Sequence, residues 1–254
     1  TFNKILFLLP LIIIVTGFIQ DRFIKVKRYE IKNERIKKPL KIGFISDLHL
    51  GLTKDKKKIE KIVEILEREK IDLLLAGGDL LDSSYHKDNI KVLKDFNPPY
   101  GKFAVFGNHE WYVGLEKSKE IVEGLGFKIL SFEFVEIEEN IIIAGAEDET
   151  ARYFKKQWDE KGFLEKLPED KFIIYLRHRP PKEKLEKVNL CLSGHTHSGQ
   201  FFPFSIITYF TFKYHSGFYK VDENFSIYVS KGAGTWGPPV RFLSTRDIAI
   251  FYLN

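Results

Sequence analysis

Residues 40–50 read LKIGFISDLHL: an aliphatic run, Leu40 to Ile45, that leads straight into Asp47, Leu48 and His49. Six residues of this composition are too few for a helix and predict a short buried strand. Asp47 and His49 then lie just past its carboxyl end. In open α/β sheets that edge is where ligands bind, and the same pairing recurs along the chain.

Leu73 to Ala76 is followed by Gly77-Gly78-Asp79, and Phe103 to Phe106 by Gly107-Asn108-His109-Glu110. Phe172 to Leu176 is followed by His178, and Leu190 to Leu192 by Gly194-His195-Thr196-His197. Ile141 to Ala144 reads as a further buried strand. Between the strands, Lys56 to Glu69 places Ile59, Ile62, Val63 and Leu66 on one helical stripe, and Lys87 to Lys94 and Glu116 to Leu125 also read as helical. After Gly217 come three short strands, GFYKV, FSIYV and DIAIFYL. The alternation predicts an α/β fold in layers of sheet and helix.

Any one of these tails has an ordinary explanation, because Asp and His often cap turns. Five strand ends carrying Asp, His or Asn would need five such accidents, and five of the chain's seven histidines fall there. Carboxylates, imidazoles and an amide oxygen converging on one edge form a metal-binding inventory. A single cysteine, Cys191, excludes an internal disulfide or a cysteine-based zinc site and reads as a buried strand residue.

Ser46-Asp47-Leu48-His49-Leu50-Gly51, Gly77-Gly78-Asp79, Gly107-Asn108-His109-Glu110 and Gly194-His195-Thr196-His197, in this order, resemble the calcineurin-like metallophosphoesterases from about Leu40 to the C-terminus. Arg177-His178-Arg179-Pro180 departs from the Ser-His-x-Pro frequent in that family but keeps the histidine. The resemblance implies an α-β-β-α sandwich of mixed sheets flanked by helices, and two divalent cations, Mn²⁺ first, Fe or Zn²⁺ as alternatives. It implies that Asp47, His49, Asp79 and His197 bind one cation, and Asp79, Asn108, His178 and His195 the other, with Asp79 as the bridge. His109 is then the group that stabilises the phosphate or protonates the leaving oxygen. Glu110 would orient a ligand, or simply be an acid at a helix N-terminus.

Gly199-Gln200 and the stretch from Lys231 to Phe242 resemble a membrane-associated bacterial branch of the family. That branch includes envelope phosphodiesterases and UDP-2,3-diacylglucosamine hydrolases. It implies a lipid-linked or nucleotide-diphospho substrate, cut in the most specific case at the pyrophosphate of UDP-2,3-diacylglucosamine. A broader envelope phosphodiesterase is the alternative. A metal-free scaffold is disfavoured by the complete ligand set. Arg241, Arg177, Arg179 and Arg152 are candidates to meet phosphate or uridine. Phe201 and Phe202 open an uncharged aromatic segment, 201–212, that either lines an acyl-chain path or dips into a bilayer, or else is a core strand with half its side chains inward.

The net charge of +5 is concentrated near the N-terminus, where residues 21–41 carry nine Lys or Arg against three acids. Apart from Lys4 the rest of the chain is net −2, which argues against a nucleic-acid partner. Ile5 to Ile19 is fifteen residues without a charge, borderline for spanning a bilayer. It reads as a retained anchor, a cleaved signal peptide with Val15-Thr16-Gly17 as its site, or a core helix. The basic run favours an anchor on an anionic membrane surface, with the catalytic part on the cytoplasmic face. The expected organisation is an N-terminal hydrophobic helix as anchor over 1–20, a basic juxtamembrane linker over 21–39, and a catalytic domain over 40–254.

Overall fold

In the computed structural model, residues 2–51, 56–82 and 91–254 are described, with side chains from Pro10 onward. Two six-stranded sheets face each other. The first runs β1 (Ile24–Ile31), β12 (Arg246–Leu253), β2 (Leu40–Ile45), β3 (Leu73–Ala76), β4 (Lys102–Ala104) and β5 (Phe127–Ile129). The second runs β10 (Gly217–Lys220), β11 (Ser226–Val229), β9 (Leu190–Ser193), β8 (Phe172–Leu176), β7 (Ile141–Gly145) and β6 (Glu133–Glu138). β2 to β5 are mutually parallel, as are β7, β8, β9 and β11, and the antiparallel pairs are β12 with β2, β10 with β11, and β6 with β7.

The period of two along each strand divides the core into three layers. Ile42, Phe44, Leu73 and Leu75 pack between the sheets against Ile143, Ile174, Leu176 and Leu192. Their neighbours Ile45, Leu74 and Ala76 point outward beneath α2 (Lys56–Glu69), whose Ile59, Ile62, Val63 and Leu66 form the anticipated stripe, and beneath α5 (Leu115–Gly124) through Val122. On the far side Ile142, Ile173, Tyr175 and Cys191 lie under Phe163 of α6 (Glu160–Glu165). Burial on both faces explains why these strands read as continuous apolar runs. Burial also pushes the Cys191 thiol up to about 12, as befits an inert core residue.

Three expectations change. Residues 21–39 are not a linker: β1 pairs with β12 over eight residues, and Ile36 is buried in the central layer. Lys25, Lys27 and Arg28 are exposed while Ile24, Val26, Tyr29 and Ile31 are half-buried, so the basic residues guard an edge strand. The N-terminal helix α1 (Phe2–Gln20) ends docked on the domain, with Arg241 N–H donating to Gly17 O at 3.0 Å and Leu243 N–H to Gln20 Oε1 at 3.0 Å. Among the described residues no helix is long and apolar enough to cross a membrane. Residues 204–211, weighed as a core strand, form helix α7 (Phe204–Thr211) with no buried residue. Of the helical stretch 87–94, residues 87–90 lie outside the described residues and α3 occupies Lys91–Asp95.

Candidate metal centre

The strands β2, β3, β4, β8 and β9 end on the same edge of the sandwich, and their tails meet there. Asp47, His49 and His197 form one cluster of potential ligand atoms, and Asp79, His178 and His195 another; within each, the atoms lie within 4.8 Å of one another. His49 Nε2 is 3.0 Å from His197 Nε2, which is 3.4 Å from Asp47 Oδ1. His178 Nε2 is 3.1 Å from both His195 Nδ1 and Asp79 Oδ2. That same Asp79 oxygen is 3.9 Å from His49 Nε2, so it faces both clusters.

Asp47, His49, Asp79, His195 and His197 all have φ between 48° and 70°, the left-handed region. Such conformations are uncommon outside glycine and concentrate at functional sites, where the surrounding fold holds them. Close backbone approach supports them: a Cβ on Gly107 would collide with Asp79 Oδ1, and one on Gly194 with Asp47 Oδ2.

The donors fit a pair of cations on three counts. Asn108 Oδ1 is buried with no hydrogen-bond partner, which is costly for an amide oxygen unless an electrophile sits before it. The His178 Nδ1 contacts the Gly77 carbonyl at 2.9 Å, so that nitrogen carries the proton and Nε2 is turned to Asp79 and His195. Protonation is also in conflict across the cluster. Burial lowers His178, yet Asp79 and Asp47 outweigh it and raise it to about 10. His195 is pushed down to about 3 by burial, then by His178 and Arg179. Burial alone would raise Asp79, but His178 and His49 hold it well below the carboxylate range. Facing lone pairs without enough protons to separate them are what divalent cations would resolve. Oxygen and imidazole donors without thiolate suit Mn²⁺, Fe or Zn²⁺ alike.

His109 stands at the rim of both clusters, with Nδ1 2.7 Å from Asp82 Oδ1. Burial would lower this imidazole, but Asp82 and Asp79 raise it above its ordinary value. Asp82 was not anticipated; its one signal is its position three residues after Asp79. Glu110 is fully buried and accepts from Asp79 N–H at 3.0 Å, Leu81 N–H at 2.9 Å and Gly107 N–H at 2.8 Å. Both readings of Glu110 hold, since it caps α4 (Asn108–Val113) and fixes the backbone of Asp79.

The four arginines separate. Arg179 Nη1 lies 3.3 Å from His195 Nε2, and Asp148 and Thr150 steady the same guanidinium from behind. Arg152 stacks on the Trp158 ring at 4.0 Å. Arg177 turns instead to Glu160 of α6, 3.4 Å away. Arg241 is 0% exposed and is spent on Gly234 O, Thr235 and Asp21, with Nη2 3.3 Å from His197 Nδ1. With Arg177 paired to Glu160 and Arg241 fully buried, neither guanidinium is offered to a substrate in this structure. Phe201 is half-buried against Phe242, and Phe202 is exposed.

A sequence profile described as calcineurin-like phosphoesterase matches residues 40–199. The chain is 38% identical to an uncharacterized metallophosphoesterase of Aquifex aeolicus over 91% of this chain and 92% of that one. It is 37% identical to an uncharacterized metallophosphoesterase of Helicobacter pylori, covering 90% of this chain and 64% of that longer protein. Among solved structures a dimetal phosphatase from Danio rerio is similar in fold, with a TM-score of 0.51, 11% identity, and coverage of 84% of this chain and 92% of that one.

Proposed function

This chain belongs to the calcineurin-like phosphoesterases and is a metal-dependent phosphoester hydrolase; from that premise we propose that its substrate is a lipid-linked phosphoester. The most specific candidate is the pyrophosphate of UDP-2,3-diacylglucosamine, which with one water gives the lipid monophosphate and UMP. The observation that carries this reading is α7, an exposed, uncharged helix that begins seven residues after His197. Phe212 beyond it lies 5.8 Å, ring to ring, from His195. An apolar chain attached to the scissile phosphate would find Phe201, Phe202 and Phe212 along its exit.

When bound, the cation pair supplies Lewis acidity and charge neutralisation for phosphoryl transfer. The residues do the rest. Asp47, His49 and His197 on one side, and Asn108, His178 and His195 on the other, would hold the cations, and Asp79 faces both sets. Arg179 presents its guanidinium beside His195, placed to take a non-bridging phosphate oxygen. Asp82 fixes His109 through Nδ1, which leaves Nε2 to deliver a proton to the departing oxygen. One specific observation favours a broader phosphodiesterase as the second reading: with Arg177 and Arg241 turned away, fewer cations remain for a diphosphate and uridine.

The test compares Mn²⁺-loaded enzyme on UDP-2,3-diacylglucosamine in detergent and on a soluble chromogenic phosphodiester. The lipid substrate should win by at least about tenfold in kcat/KM, and His195→Ala should lose about a hundredfold or more on both. Equal efficiency on the two esters would remove the lipid from the proposal. A His195→Ala enzyme at full rate would remove the site.

A further inference from the structure

Helices α1 and α7 are 184 residues apart in sequence, from Gln20 to Phe204, yet both are rooted in one loop, residues 235–243. On one flank, Arg241 N–H donates to Gly17 O, Leu243 N–H to Gln20 Oε1, and Thr235 Oγ1 to Asp21. A Cβ at Gly17 would run into Val240, so the helix end lies flat on the loop. On the other flank, Phe202 N–H donates to Phe242 O, Phe242 N–H to Gln200 O, and Trp236 N–H to Gln200 Oε1.

What the described side chains of the two helices present is mainly large and apolar. Leu11, Ile12, Val15, Phe18 and Ile19 of α1 are exposed, and so are Phe204, Ile206, Ile207, Tyr209 and Phe210 of α7, the last to 81%. Trp236 and Leu243 are exposed on the loop between them. A monomer in water rarely leaves this many large apolar side chains exposed on elements anchored to one loop.

The charges next to it along the chain are basic. Residues 5–20 and 201–220 contain no acid, and Asp21 is buried against Thr235, Arg241 and Arg246. Exposed Arg22, Lys25 and Lys27 follow α1, and exposed Lys213 follows α7. Large apolar side chains fringed by Lys and Arg are the chemistry of binding in the plane of an anionic bilayer.

We infer that α1, α7 and the 235–243 loop form one face that seats on the surface of an anionic membrane, bringing the His195–His197 turn to headgroup level. This holds whichever phosphoester is cut. It also gives the buried Arg241 a structural purpose, since it ties the end of α1 to the loop and to the His197 turn.

The full chain should co-sediment with vesicles of phosphatidylcholine containing about a third phosphatidylglycerol, at least about tenfold more tightly than with phosphatidylcholine alone, and high salt should weaken it. Phe18→Asp and Phe210→Asp should each weaken this partition by about tenfold or more, while hydrolysis of the soluble ester without vesicles stays unchanged and reports intact folding. Three outcomes would overturn the inference: no binding by wild type, variants that bind as well as wild type, or a solution dimer that the same substitutions dissociate. The vesicles contain no substrate, so failure here leaves the lipid-substrate reading to be judged by its own assay.

Discussion

Replacing Glu110 by Gln tests whether the backbone of the bridging ligand is held as the geometry indicates. Glu110 Oε2 accepts two N–H groups, from Asp79 and Gly107, and Oε1 accepts the third, from Leu81. An amide keeps one oxygen, so at least one buried N–H loses its acceptor and faces another donor. An unmet buried donor costs about 1–3 kcal/mol, and a loss near 2 kcal/mol lowers the Tm of a domain this size by about 4–8 °C. Burial, with the nearby Asp79, raises the Glu110 carboxyl to about 7 against the pull of its N–H donors. Between its ordinary pKa and about 7 the folded chain therefore keeps a proton that the unfolded chain has released, and wild-type stability falls as pH rises through that window. Gln lacks this slope, so the gap between wild type and variant narrows with rising pH. Urea unfolding of the metal-free proteins at several pH values measures it, and Mn²⁺ titration should show about 10–100-fold weaker binding in the variant. A variant within about 0.5 kcal/mol of wild type, or a gap that widens with pH, would refute the reasoning.

Asp82→Asn removes the carboxylate charge that helps raise His109, so the acid form is lost at lower pH and the alkaline limb of the kcat profile moves acidward, with kcat down about 10–100-fold; an unmoved limb at full metal occupancy would dismiss this role. Arg241→Met leaves Asp21 and Gly234 O without the guanidinium between them and should cost about 3 kcal/mol in urea unfolding. A change in KM at unaltered stability would instead return Arg241 to the substrate. Lys102 is buried, donates to Leu93 O and Leu125 O, and is lowered by that burial to about 8. The unfolded chain thus holds this proton to higher pH, and stability gains from it as pH rises from about 8 toward the ordinary lysine value. Wild type should therefore improve relative to Lys102→Met over that range, and parallel stability curves would contradict it.

The site was legible because imidazoles, carboxylates and an amide recur after five separate buried strands, more than turn capping explains, and the sheet order then brings those ends together. The residues behind the site were not. Only its place three residues after Asp79 distinguishes Asp82, which contacts His109, from any polar residue after a strand. Arg241 reads as a candidate phosphate contact because arginine is almost never fully buried without partners, and its partners, from Asp21 to Ser244, are fixed only by tertiary packing. β1 was hidden by its function at the sheet edge: in IKVKRYEI the exposed Lys and Arg that block further pairing also resemble a solvated tether.

The segment 201–212 was ambiguous for a different reason. A run of Phe, Ile, Tyr and Thr has no polar phase from which to read a period of two or of 3.6, so strand and helix fit it equally. The structure resolves the period and shows that α7 has no buried face. Local rules are broken in two ways over one short span. The His195–Ser198 turn holds three non-glycine residues at positive φ, and the helix that follows leaves its aromatics in solvent. Sequences that fold consistently break such rules chiefly where function requires it. The cation binding proposed for His195 and His197 would account for the first departure. The second follows immediately in the chain, which sets the proposed membrane face beside the proposed chemistry, and Phe210→Asp with Mn²⁺ present should weaken vesicle binding while leaving soluble-ester hydrolysis intact.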